Sequence, residues 1–225
     1  MGGGRREQFA VDASRQMVSV VELEALVAAR RNALGEGHPD TLTAKLDLAE
    51  ALWGEGRLQQ ARQLEESVVA GRRSLLGEAH PDTLKALGKL AVSVGQLGDL
   101  GEARRLQEQV VAGMRAVHGH EGRDTLRAIN NLAGTVAALG DAFAARAMLE
   151  ETIATLSRVF GEEDADTLTS RGNLAALLWQ CGEHEEAFML QEQVAEALRR
   201  TRGADDQMVC NAEAVLNSML RDLGF

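Results

Sequence analysis

The residues of this chain that could do chemistry do not converge on a reaction centre. His38 and His80 occupy matching interhelix loops, His118, His120 and His184 are scattered, and no His-x-x-x-His or Cys-x-x-Cys accompanies them. A metal site needs several ligands meeting at defined spacing, so these histidines read as loop-ordering groups and no metal is expected. Glu65-Glu66, Glu150-Glu151, Glu162-Glu163 and Glu185-Glu186 pair carboxylates side by side. Neighbours on a helix point about 100° apart, so such pairs do not flank a substrate as acid and base. Gly54-Glu55-Gly56-Arg57 lacks the spacing and the Lys-Ser/Thr of a phosphate loop. No serine or cysteine stands in a nucleophile motif. The expectation is a chain with no catalysis and no cofactor. Its candidate functional residues are groups for recognition: the amides Asn130, Asn131, Asn173 and Gln180, the cations Lys85, Lys89 and Arg127, and the indoles Trp53 and Trp179.

What must position them is a tandem array. Gly35, Gly77, Gly119, Gly161 and Gly203 are spaced 42 residues apart, and Gly56, Gly98, Gly140, Gly182 and Gly224 repeat the interval. Asp-Thr-Leu recurs in the same register at Asp40, Asp82, Asp124 and Asp166. A strict period in this range means stacked supersecondary units. In the second unit, His80-Pro81-Asp82-Thr83 reads as a helix start, because proline at the first helical position forfeits an N–H that had no partner and Asp82 complements the helix dipole. Leu84, Leu87, Leu90, Ala91 and Val94 follow at helical spacing and Gly98 ends the helix. Asp99 then caps a second helix, with Ala103, Leu106, Val110, Val111, Met114 and Val117 on one face and Gly119 at its close. No segment alternates with period two, so the fold class is all-α, built of antiparallel helix pairs.

This reading places first (A) helices near 40–54, 82–97, 124–139, 166–181 and 206–223, and second (B) helices near 57–75, 99–117, 141–159 and 183–201. Residues 18–34 read as a B helix without its A helix, and 206–225 as an A helix without its B. The domain expectation is an N-terminal segment over 1–17, whose Met1-Gly2-Gly3-Gly4 start has the composition of an appended leader, and one solenoid over 18–225. Within it lie a partial unit at 18–39, full units at about 40–81, 82–123, 124–165 and 166–205, and a closing helix at 206–225. Ala44, Ala86, Ala128, Ser170 and Ala212 keep one A-helix position small, and Ala61, Ala103, Ala145 and Ala187 do the same in the B helices. Small side chains let helix axes approach closely.

Composition narrows the partners. Apolar residues make up 45% of the 225, aromatics only 3%, and tyrosine is absent, so leucine, alanine and valine must build the core. A net charge of −10 argues against nucleic acid and anionic membranes, which require a basic footprint. Cys181 and Cys210 have no disulfide-framework or metal spacing and read as free thiols of a reducing compartment. No signal-peptide core, myristoylation signal, sequon or transmembrane stretch occurs, so the expected location is cytoplasmic.

The repeat resembles the tetratricopeptide repeat family. Leu48-Ala49, Gly56 and Ala61 match its Leu-Gly/Ala, turn and Ala positions, and the pattern recurs in four units. Leu-Gly-Glu-x-His-Pro-Asp-Thr-Leu at Leu34 to Leu42 and Leu76 to Leu84 is similar to the longer variety found in kinesin light chains and in sensor regions of signalling NTPases. Leu52, Val94, Val136 and Leu178, and Glu65, Gln107, Leu149 and Gln191, stand where the family carries large aromatics.

The resemblance implies a right-handed superhelix whose A helices line a concave groove that holds a peptide or a helix of a partner protein. Asn131 and Asn173 sit at matching positions, where related arrays use asparagine to hold the N–H and C=O of an extended chain. On that reading the chain is a noncatalytic scaffold or adaptor. Lys85, Lys89 and Arg127 either focus a positive potential that favours an acidic partner segment or neutralise carboxylates on adjacent helices. Trp53 and Trp179 share one repeat position and either bound an apolar slot or cover helix ends. A different reading also stays open: the last helix, with Val215, Met219, Leu220 and Leu223, is more apolar than a cap requires and would seal a homodimer or join a larger signalling protein.

Overall fold

The computed structural model describes residues 19–224. The expected N-terminal segment over 1–17, and Phe225 of the expected closing helix over 206–225, lie outside them. Among the described residues the chain forms ten α-helices and no strand. They are α1 Val20–Leu34, α2 Pro39–Gly54, α3 Leu58–Leu76, α4 Pro81–Gln96, α5 Leu100–His118, α6 Arg123–Ala138, α7 Ala142–Phe160, α8 Ala165–Gln180, α9 His184–Arg202 and α10 Gln207–Asp222. Nearly every boundary falls within one residue of its sequence-based expectation, and α1 occupies the place of the B helix expected over 18–34.

The repeated grammar has a local cause at each joint. His38 and His80 are N-caps whose Nδ1 accepts from the Asp40 and Asp82 N–H groups at 3.2 and 3.1 Å. Asp164 and Asp206 do the same for Asp166 and Met208 at 3.0 and 2.8 Å. Each supplies an acceptor to an amide that the helix leaves unpaired. In the third and fourth Asp-Thr-Leu units the threonine closes the preceding loop: Thr125 Oγ1 donates to the Gly119 carbonyl at 2.9 Å and Thr167 Oγ1 to that of Gly161 at 2.8 Å. Between A and B helices, Gly98 takes φ +95°, a left-handed conformation that a side chain would oppose. The Asp99 N–H then reaches back to the Val94 carbonyl at 3.2 Å while its side chain caps α5 through the Glu102 N–H at 3.0 Å.

The chain divides into two units, Met1–Leu75 and Leu76–Phe225. In the first, Val20, Leu23 and Val27 of α1 form a core with Ala44, Leu48, Ala49 and Leu52 of α2 and Ala61 of α3. Lys45 is buried there, with its ammonium ion-paired to Glu36 and hydrogen-bonded to Ser67 Oγ at 2.9 Å.

The second unit packs α4 to α10 in sequence, each helix on its neighbour. Ala103, Ala145 and Ala187 are fully buried where the B helices begin, as the small-residue pattern requires. At its end Leu168, Val194, Ala195 and Leu198 enclose Val209 and Ala212 of α10.

Candidate functional site

Within the second unit the A helices α4, α6 and α8 share a cleft of about 520 Å³. Its walls carry Val92, Gly95 and Gln96 of α4, Asn131, Gly134 and Ala138 of α6, and Asn173, Ala176 and Gln180 of α8. Gln107 of α5 and Leu149 of α7, both buried, close it from the B-helix side. Helical periodicity explains why neighbouring asparagines differ. Asn131 is exposed in the cleft, and the residue before it, about 100° round the helix, turns inward, leaving Asn130 only 8% exposed. Asn173 repeats the exposure of Asn131 one period later. Glycine keeps the space open: a Cβ at Gly134 would meet nothing within 4 Å.

The cations take a different place. Lys85 pairs with Asp124 at 3.1 Å, and Arg127 reaches Asp166 at 2.7 Å and Asp124 at 3.8 Å. Both side chains thus meet the acidic first turn of an A helix, which is the neutralising role that the sequence left open beside the recognition role. Lys89 is exposed on α4 and engaged in an interaction of its own. None of the three lines the cleft.

One ionic joint between repeats was not among the residues singled out from sequence. Arg123 hydrogen-bonds Asp164 at 2.8 and 3.1 Å and Asp166 at 2.5 Å, with its guanidinium 4.0 Å above the Phe160 ring. The hydrogen bonds to Asp164, then to Asp166, raise the guanidinium pKa further. The Arg123 bond in turn holds the Asp164 carboxyl below the ordinary aspartate range.

Trp53 belongs to the first unit and is 43% exposed. Trp179, in the second, is half-buried, with its ring 4.4 Å from that of His184, and packs on the Leu178–Ala187–Met219 cluster rather than lining the cleft. In α10, Met219 is 3% exposed and Leu220 half-buried, whereas Val215 and Leu223 stay 41% and 44% exposed. Of the four expected self-association residues, Met219 therefore belongs to the unit's own core. Among the described residues no group of three or more His, Cys, Asp or Glu is arranged to hold a metal, and no helix is long and apolar enough to cross a membrane.

Sequence reasoning passed over Gln107 as a site residue. It stands at an aromatic position of the repeat and was read only as a departure from it. The usable signal was a polar residue at a position that the periodicity buries.

Antiparallel helix pairs repeated at a fixed period, with a cleft on their A helices, define an all-α repeat solenoid. A tetratricopeptide repeat profile matches residues 82–157 and 124–200, and a second profile of that description matches 41–82. The chain belongs to the tetratricopeptide repeat family, in its kinesin-light-chain-like variety. Among solved structures it is similar to the nearly identical TPR-like repeats assigned to a kinesin light chain of Podosopora anserina. Identity is 32% over 81% of this chain and 86% of that one, with a TM-score of 0.66. BtubC (BKLC) from P. vanneervenii is 17% identical over 92% of this chain and 83% of its own, with a TM-score of 0.69. A Rap protein complexed with Competence and Sporulation Factor is 11% identical over 91% and 59% respectively, at 0.68. The last two share the fold. No curated protein sequence matches. By its family the chain is a protein-interaction repeat scaffold.

Proposed function

We propose that the α4–α6–α8 cleft captures an extended peptide segment of a partner protein, and that the chain does so without catalysis. The observation that carries this reading is the pair Asn131 and Asn173, exposed one repeat apart in a single cleft. A primary amide donates and accepts, so each can meet both the N–H and the C=O of a bound main chain. Glycines and alanines beside them let that chain approach. The Rap structure, solved with Competence and Sporulation Factor bound, is a complex on the same fold. Lys85 and Arg127 are matched by aspartates of this chain and lie outside the cleft, so the capture rests on the amides rather than on an acidic segment of the partner.

The test is selection of binders from a random peptide library on the intact chain, followed by affinity measurement on an Asn131→Ala/Asn173→Ala variant of equal helicity. A loss of at least about tenfold, some 1.4 kcal/mol, is expected. Undiminished binding by the variant would refute peptide capture in this cleft.

A second reading, self-association through α10, is favoured by the exposure of Val215 and Leu223. It predicts a concentration-dependent mass in light scattering that Val215→Glu/Leu223→Glu removes. A monomer at all concentrations would dismiss it.

A further inference from the structure

Two buried amides of the cleft leave their carbonyl oxygens without a hydrogen-bond partner among the described residues. Gln107 is 4% exposed and Asn130 8%. Both line the cleft, and neither Gln107 Oε1 nor Asn130 Oδ1 accepts a hydrogen bond. A buried carbonyl without a donor is destabilising, and packing does not demand one here. Leu149, 3% exposed, fills the position of Gln107 one repeat on. Two repeats on, Gln191 is satisfied, its Nε2 donating to the Ala212 carbonyl at 3.0 Å. Glu65, one repeat before Gln107, is also polar and buried, so the position is polar in three of four repeats, and Leu149 shows that the fold does not require it.

We propose that Gln107 and Asn130 read a primary-amide side chain, asparagine or glutamine, on the bound peptide. This rests on the peptide capture proposed above and adds the residue that the peptide must carry. One NH2 group offers two N–H donors on a neutral nitrogen, one for each unpaired carbonyl. A serine or threonine hydroxyl brings a single donor. A lysine ammonium brings three, but it would carry an ion against Ala91, Ala133, Leu149 and Leu177, where desolvation opposes it. An amide also suits either orientation of the Gln107 amide, because it holds an acceptor beside its donors. Asn131 and Asn173, exposed on the walls, are left for the peptide main chain.

The experiment uses the intact chain and a phage-displayed library of random dodecapeptides, with selected peptides synthesised and their affinities measured by fluorescence anisotropy. Aligned binders should share Asn or Gln at one position, and replacing that residue by Leu should weaken binding to the wild type by about tenfold or more. On a Gln107→Leu chain the two peptides should bind alike, while the Asn131→Ala/Asn173→Ala chain loses both. A Gln107→Met chain, unbranched like glutamine, repeats the measurement should the leucine variant fold poorly. Binders that need Asn131 and Asn173 but show no amide preference overturn the amide reading and leave peptide capture standing. Binders indifferent to those two asparagines, or no binders at all, overturn both.

Discussion

Arg123 and Asp164 join consecutive repeats through two guanidinium–carboxylate hydrogen bonds of 2.8 and 3.1 Å. The pair links the first residue of α6 to the N-cap of α8, and the Phe160 ring beneath the guanidinium adds a cation–π contact at 4.0 Å. A planar fork suits both partners, so lysine is a poor substitute. Arg123→Ala should destabilise the chain by about 1–2 kcal/mol, and Arg123→Lys should recover less than half of that. Urea unfolding of the three chains measures it; an unchanged midpoint for Arg123→Ala would show the joint to be dispensable.

The same pair sets a pH dependence. The folded Asp164 carboxyl is held below its ordinary value, chiefly by the Arg123 hydrogen bond. Its contribution is therefore whole above the unfolded value of about 3.9 and is lost as pH falls through the lower folded value. Asp164→Asn keeps an N-cap of equal quality but removes the charge. The gap in melting temperature between wild type and this variant should be constant near neutral pH and narrow below about pH 4. A gap that persists at lower pH would assign the effect to the cap instead.

Gly134 separates stability from recognition. It lies inside α6, where glycine costs about 0.5–1 kcal/mol relative to alanine, and a Cβ there meets open space. Gly134→Ala should raise the unfolding free energy by that amount while narrowing the cleft and weakening peptide binding. Calorimetry and anisotropy on one preparation would show whether the two shifts oppose each other.

Equivalent glutamines should respond oppositely to leucine. Gln107→Leu removes a buried carbonyl without a donor, whereas Gln191→Leu removes a made hydrogen bond. We expect the first to stabilise and the second to destabilise, each by about 1 kcal/mol. The same sign for both would mean that packing, not hydrogen bonding, governs this position.

In α10 one substitution probes folding and another probes assembly. Met219→Glu places a carboxylate in the Leu178–Ala187 cluster and should cost about 3 kcal/mol or more. Val215→Glu, on an exposed side chain, should leave the midpoint within about 0.5 kcal/mol. Circular dichroism melts distinguish the two before any change in mass is ascribed to a lost interface.

The helices were legible because each is bounded by a residue with a single local purpose, such as Pro81, Asp99 or Gly98. Their positions follow from chain-local rules that need no tertiary contact. Asn131 and Asn173 were legible as candidates for the same reason, being one period apart on an exposed helix face. That Asn130 and Met219 are buried was not legible, because type and spacing alone do not say which way a helix is rotated against its neighbours. Whether Lys85 and Arg127 recognise a partner or neutralise carboxylates stayed open in the sequence, since Asp124 and Asp166, 39 residues beyond each, approach them only after the repeats stack.

The turns after Val94, Val136 and Leu178 close with the same backbone bond, at 3.2, 3.2 and 3.0 Å, around Gly98, Gly140 and Gly182 at φ +95°, +94° and +84°. Interchangeable seams make the block itself the unit of inheritance. In-frame duplication or loss of one 42-residue block in the gene would rejoin the chain at a turn indistinguishable from those it already has. Array length can therefore drift by whole blocks at little structural cost.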